Sequence, residues 1–508
     1  MQCSRIYKSD IGGLGGIPRG LTGYGCVGVM ARGTFKTTIR VLRNASFCMA
    51  FWHGSAMAQE APAKQGGEST LSAATSDGVV ISEFGLAARY YQQGNYAQAE
   101  LIYRKIQAKM ENTSGPNDPS MTTVLRLLAE VNVDLGNYHQ AEEMEYRVLS
   151  ILEKSFGKDH PEIAVALSNL GRMCFYQDRS TEAESLYHRS LSMKEKTGGE
   201  DDNDTATILN NLAALYRSQG KFAEAEPLYR RSLAITEMKL GPEDPQTATV
   251  LNNLAELYAS QSRFIRAEPL YRRALLINEK VWGPEHPKLV PTLCNLAGLY
   301  RALGYYEKAE PLYQRSLVIL HNTVGWQHPS VGNVLHNMAG LYAQQNNLPE
   351  TENLLRRSLA IWETTLPRLH PNIAIALHDL GSLYVIEHKH AKAQPLLERL
   401  LAIREEVLGA NDPKLEPPLQ ALAEVYMAQR NYTAAEPLYQ HLLSIQENAG
   451  GPPNTEYAAN LTKYAFLLRK LKRKTEATEV SAQARAALSA ASASSLPASS
   501  ERPVSFMP

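Results

Sequence analysis

Apolar and polar positions along this chain recur with a period of 42 residues, from about position 78 to position 488, and within each period they follow helical spacing. In one copy Leu251, Leu254, Ala255 and Tyr258 share a stripe, and Phe264, Ala267, Tyr271, Ala274 and Leu275 share a second. Two amphipathic helices per unit follow. A turn as short as Gln219-Gly220-Lys221 obliges them to pack as an antiparallel hairpin. The tightest position tests the register. Ala87, Ala129, Gly171, Ala213, Ala255, Ala297, Ala339, Gly381, Ala423 and Ala465 succeed one another at steps of 42 with no large residue among them, which counts ten units in unbroken phase. Three residues on, Tyr90, Tyr216, Tyr258, Tyr300, Tyr342, Tyr384 and Tyr426 recur, whereas Asn132, Cys174 and Leu468 depart. A second small position, Ala225 and its equivalents, is broken by Thr351. Small residues let the paired backbones approach while Leu and Tyr fill the space beside them. One such unit cannot cover its own apolar face, so the units stack.

The first helix of a unit, helix A, opens on a repeated signal. Asp118, Asp244 or Asp412 stands at or near a following Pro, and His160, His286, His328 and His370 take the Asp position elsewhere. A side-chain acceptor satisfies exposed amides there, and Pro suits a first turn. Proline also lies beyond the first turn of helix B, at Pro227, Pro269, Pro311, Pro395 and Pro437, where a mild kink or a loosened turn is expected.

The pattern Leu212, Ala213, Tyr216, Gly220, Ala225, Tyr229 and Ser232 resembles the tetratricopeptide repeat, and the 42-residue unit with its Leu-Gly-x-x-His/Asp-Pro connector resembles the kinesin light chain or nephrocystin subtype. The likeness covers about four fifths of the chain. It implies an all-α, right-handed superhelical solenoid of about ten helix-turn-helix units over residues 78–488. Fold alone does not assign a function.

Composition narrows the partners. Lys plus Arg and Asp plus Glu number 52 each, so no global charge points to nucleic acid or a membrane surface. Residues 1–58 read as a signal-like segment, with Met30 as an alternative start: Arg32, Lys36, Arg40 and Arg43 precede an apolar stretch from Ala45 to Trp52 and then Ser55-Ala56-Met57-Ala58. Export to a periplasmic or extracellular space is the expectation, with organelle targeting or a cytoplasmic location as alternatives. The apolar stretch is too short to span a membrane unaided, and no integral membrane segment is expected in the mature chain. Residues 59–77 read as a polar linker and 489–508, rich in Ser, Ala and Pro, as a disordered tail.

No catalytic constellation emerges: there is no phosphate-binding Gly loop, no His-Glu-x-x-His, no Cys-x-x-Cys and no Gly-x-Ser-x-Gly. A non-enzymatic protein without a cofactor or metal is expected. The four connector histidines occupy the same place in different units, so one ion cannot gather them, and capping is the expected role.

The candidate site is the inner face of helix A. Asn169, Asn211, Asn253, Asn295 and Asn337 form a row, with Asn210 and Asn252 beside it and Arg172, Arg217, Glu256, Arg301 and Gln344 varying between units. An amide carries donor and acceptor on a short stem and so suits the backbone of an extended peptide. The kinesin light chain resemblance implies that these asparagines line a peptide groove; bonding between adjacent helices, stitching the repeats, is the alternative. Two functions remain at this level. One is a scaffold or adaptor that holds a peptide or partner domain in the concave groove; the other is an organiser of an envelope assembly acting through the convex face or tail. The heptad coiled coil that precedes the repeats in kinesin light chains has no counterpart here, so motor attachment is not implied.

Overall fold

The computed structural model describes residues 77–197, 199, 201–448 and 454–494. The signal-like segment, most of the polar linker and the end of the tail lie outside these. Among the described residues twenty α-helices form ten A/B pairs with no strand, and each helix packs on its sequence neighbours. The right-handed solenoid expected from the period is the fold.

Helices A and B run Asp77–Gln92 and Tyr96–Ser114 in unit 1, Met121–Asp134 and Tyr138–Phe156 in unit 2, and Pro161–Tyr176 and Ser180–Lys196 in unit 3. Units 4 to 6 are Asn203–Ser218 and Phe222–Lys239, Pro245–Ser260 and Phe264–Trp282, and Val290–Ala302 and Tyr306–Val324. Units 7 and 8 are Pro329–Gln344 and Leu348–Thr365, then Pro371–Ile386 and His390–Leu408. Units 9 and 10 are Glu416–Ala428 and Tyr432–Asn448, then Thr455–Lys470 and Lys474–Ser494. The final helix continues six residues past the expected end of the array, through the Ala- and Ser-rich stretch. Alanine's high helix propensity accounts for that extension.

Local chemistry sets each boundary. His160, His286, His328 and His370 each accept, through Nδ1, the backbone N–H two residues on, at 3.1–3.3 Å. Asp244 and Asp412 do the same through a carboxylate oxygen at 2.7 Å. Helix A of units 6 and 9 opens instead with a short 3₁₀ turn, Pro287–Leu289 and Pro413–Leu415. Pro291 and Pro417 have no N–H to close an α-helical bond to residues 287 and 413, and the tighter turn avoids that need. Helix B runs on through Pro227 and its equivalents. Pro227 and Ala223 are exposed, so the carbonyl it releases meets water.

The small positions place the helices. Ala213, Ala255 and Ala297 are fully buried, and Tyr229, Tyr271 and Tyr313 of helix B lie buried beside them. Where the small residue is Gly171, an added Cβ would stand 2.9 Å from the Tyr187 ring. Each A–B turn passes through one left-handed residue, with φ between 57° and 76° at Gly94, Gly136, Asp178, Gly220, Ser262, Gly304, Asn346, His388, Arg430 and Lys472.

The solenoid also touches itself between turns of its superhelix. The A–B turn of unit 1 lies on the connector of unit 7, and an added Cβ at Gly94 would be 2.6 Å from His328 and 2.7 Å from Pro329. Unit 2 repeats this against unit 8, where Gly136 would bring a Cβ to 3.0 Å from His370 and 3.3 Å from Pro371. In unit 3, Asp178 pairs with Lys414 of unit 9. The spacing is 234 residues from 94 to 328 and from 136 to 370, and 236 in the third contact.

Candidate functional site: the inner face of helix A

Each helix A carries its inner stripe at positions three and four residues apart, which the helical period turns to one side. The stripe residues bond chiefly across the seam to the next unit. Asn253 donates from Nδ2 to Asn210 Oδ1 at 2.9 Å, and Asn295 donates to Asn252 at 3.3 Å. A third rung of the same register joins His336 Nε2 to Asp379 Oδ2 at 2.8 Å, with Asp379 standing at the row position of unit 8. Burial would raise the Asp379 carboxyl, but the hydrogen bond and charge of His336, with His378 and Arg404, hold it below the usual range. The rung thus changes chemistry between units, from amide–amide to imidazole–carboxylate, while keeping its geometry.

The charged members pair as well. Arg172 donates through both terminal nitrogens to the Glu130 carboxylate in unit 2. Arg217 meets Glu256 of unit 5 at 2.6 Å, and both are largely buried. Burial pushes the Glu256 carboxyl above its ordinary value, and Arg217 opposes that shift. Asn169 donates to Glu145 at 3.2 Å. Burial raises the Glu145 carboxyl to about 7. Arg301 is buried beside Tyr313, whose hydroxyl burial pushes up to about 12 against the pull of that guanidinium.

Between the row asparagines from Asn169 to Asn337, two of the four rungs are missing. Between units 3 and 4, Ser168 replaces the first amide, and Ser168 Oγ and Asn211 Oδ1 are buried without a hydrogen-bond partner. Between units 6 and 7, Cys294 replaces it, and its thiol turns to Ser316 Oγ at 3.8 Å. Asn337, which would complete that rung, lines a cavity instead, and Gln344 at the end of the same helix is half-buried. The stripe is therefore brought together as a ladder, with Asn211 and Asn337 left over.

A second seam was not anticipated from the sequence. The Tyr of helix A bonds the Glu that follows the second small position in the preceding unit, which stands in Ala-Glu-Pro at three of the five sites: Tyr216 to Glu184, Tyr258 to Glu226, Tyr300 to Glu268, Tyr342 to Glu310 and Tyr384 to Glu352, at 2.8–2.9 Å. Arg263 joins Glu226 at 3.0 Å and Lys389 joins Glu352 at 3.3 Å. The constant separation of 32 residues between Tyr and Glu was the available signal.

Among the described residues no group of three or more His, Cys, Asp or Glu is arranged to hold a metal ion. No described helix is long and apolar enough to cross a membrane.

The family model described as Tetratricopeptide repeat matches residues 78–154, 120–196, 162–238, 204–280, 246–320, 330–406 and 418–490. The chain belongs to the tetratricopeptide repeat family. Its repeating unit is 42 residues long. BtubC (BKLC) from P. vanneervenii is 25% identical, with 48% of this chain and 92% of that one covered and a TM-score of 0.36. Nearly identical TPR-like repeats from Podosopora anserina, named for a kinesin light chain, are 28% identical, covering 39% of this chain and 95% of theirs with a TM-score of 0.33. The apo form of the quorum sensor NprR from B. thuringiensis is 16% identical, covering 73% of this chain and 100% of that one with a TM-score of 0.44. No curated protein matches the chain.

Proposed function

We propose that this tetratricopeptide repeat chain is a non-enzymatic scaffold that holds an extended peptide, or an extended segment of a partner protein, along the inner face of its helices A. The observation that carries the reading is the pair of broken rungs. A buried amide oxygen without a partner is costly, and a peptide N–H is the group that would satisfy Asn211 Oδ1. Asn337 offers a second amide three units further along the array, with both donor and acceptor available to a backbone. The intact rungs define the rest of the surface. Asn210, Asn252 and Asn253 hold neighbouring units together, whereas Asn169 and Asn295 are half-buried and keep a second amide hydrogen for a ligand. Arg217 and Glu256 neutralise one another, so the face carries little net charge there and side-chain selection falls to the positions that vary.

The test uses peptides selected on the full chain from a random display library. Asn211→Ala with Asn337→Ala removes both leftover amides and breaks no rung, so the fold keeps its seams. Affinity is expected to fall about tenfold, the size of two hydrogen bonds. A selection that returns no peptide, or affinities unchanged in the double variant, would remove the inner face as the binding surface.

A further inference from the structure

The two superhelical turns meet at their loops and leave a space behind the contact. Between the A–B turns of units 1 and 2 and the facing parts of units 5 to 8 lies a cavity of about 950 Å³. Its near wall presents Tyr91, Tyr96 and Tyr138 around Asp134, and its far wall presents Trp362 and His328. Asp134 sits at the last position of helix A in unit 2, so the turn that follows swings Tyr138 beside it.

The charge pattern of this space is specific. Asp134 Oδ2 accepts the Tyr91 hydroxyl at 2.5 Å, and among the described residues the carboxylate forms no ion pair. The guanidinium that acts on it, Arg172, is already committed to Glu130 through both terminal nitrogens. Burial, reinforced by the charge of Glu130, pushes the Asp134 carboxyl up to about 7 against the pull of Tyr91 and Arg172. That is a carboxylate short of a cation. On the opposite wall His336 is already bonded to Asp379, and two other imidazoles there, His286 and His328, carry no charge to offer. Burial holds His328 near 4 and keeps His286 below its usual value, so these imidazoles are neutral at pH 7. Lys288 lies 4.4 Å from the centre of the Trp282 ring, and Arg89 is exposed. An anion entering here would meet Asp134 and Glu130.

We propose that the cavity binds an organic cation, a primary ammonium or guanidinium group on a short aliphatic stem, with Asp134 as its counter-ion and the rings of Tyr91, Tyr96, Tyr138 and Trp362 packed around it. Aromatic faces attract a cation and pack against its stem, and a charge-assisted bond to a carboxylate fixes its head. The walls belong to different superhelical turns, so the ligand favours the closed arrangement that forms its site. The inference differs from the peptide reading in resting on Asp134 rather than on Asn211, although Asn337 lines the same cavity. The cation could be a free amine or the Lys or Arg side chain of a partner.

Titration of the full chain with agmatine, followed by the emission of Trp282 and Trp362, tests it. A saturable change with Kd below about 1 mM is expected. Affinity should drop about tenfold or more in Asp134→Asn. A blocked hexapeptide with a central Arg separates the sources: binding equal to agmatine assigns a protein side chain, and its exclusion assigns a free amine. No saturation by about 10 mM agmatine, equal binding of neutral butylurea, or a folded Asp134→Asn variant with unchanged affinity overturns the proposal. The butylurea comparison needs no variant, so it decides the matter even if Asp134→Asn does not fold.

Discussion

Two kinds of interface hold this solenoid, and they differ in how far along the chain they reach. The seams between neighbouring units join residues 32 to 43 positions apart, as in Tyr258–Glu226 and Asn253–Asn210, and recur from unit to unit. The contact between superhelical turns joins residues 234 to 236 apart and involves units 1 to 3 against units 7 to 9. The connector histidines show what the difference means. His160 and His286 cap their helices and are half-buried; His328 and His370 cap theirs in the same way and are 9% exposed because another turn lies on them. One local role is therefore compatible with two long-range environments.

The largest expected effect separates the two interfaces at a neighbour seam. Arg217→Ala leaves Glu256 buried without its partner and should cost about 3–5 kcal/mol in denaturant unfolding. Replacing both by Met should recover most of that loss, because it removes the stranded charge and keeps the volume. Neither variant should change the radius of gyration at low denaturant, since the turns still meet. A swollen particle would mean that seam and inter-turn contact are one cooperative unit.

Acid acts on the other interface. The His328 imidazole falls from an ordinary 6.5 to about 4 because burial disfavours its charged form. The undocked state then takes up more protons between those values, so the contact is at full strength above pH 6.5 and weakens as pH falls toward 4. The loss reaches about 3 kcal/mol. Protonation at Nδ1 would also end its bond to the Ser330 amide. Hydrogen exchange in units 1 and 2 should rise as the pH is lowered from 7 to 5, after correction for intrinsic rates. In His328→Asn, which keeps a capping acceptor without a titrating ring, that rise should shrink.

Next comes a comparison between glycines with the same backbone. Gly94 and Gly220 both have φ +72°, but an added methyl at Gly94 meets His328 and Pro329, and at Gly220 it meets nothing within 4 Å. Gly220→Ala should cost about 1 kcal/mol for the left-handed conformation alone. Gly94→Ala should cost about 1–3 kcal/mol more from overpacking and should enlarge the radius of gyration measured by X-ray scattering. Equal penalties and equal radii would show that the inter-turn contact does not persist in solution.

Legibility follows the same division. The unbroken small residues from Ala87 to Ala465 and the Tyr beside them placed all ten hairpins, because their packing is decided within one unit. The neighbour seams were readable in part. Asn210 and Asn253 invited a ladder, but the exchange of that rung for His336 and Asp379 shows only when both helices are placed side by side. Gly94 against His328 was beyond reach. Its partner depends on the summed rotation of more than five units, and a small change per unit would bring a different connector beneath the turn. Asp134 escaped for the same reason, since nothing in its own unit marks it as facing a cavity.

The smallest expected effect is Tyr300→Phe, at a neighbour seam where Tyr300 donates to Glu268 at 2.8 Å and accepts from Arg272 at 2.9 Å. The phenol is needed only for these bonds, because the ring itself is buried and Phe fills the same space. Glu268 keeps Arg272 at 2.8 Å, so no charge is stranded. A loss of about 1 kcal/mol is therefore expected from denaturant midpoints, the usual size for one hydrogen bond to a paired, partly solvated carboxylate. The same substitution at Tyr258 should cost as much, since Glu226 likewise keeps Arg230 and Arg263. Matching losses at the two sites would show the seam to be a repeated and independent element. A loss above about 3 kcal/mol at either would mean that the Tyr–Glu bond is coupled to its neighbours along the array rather than acting alone.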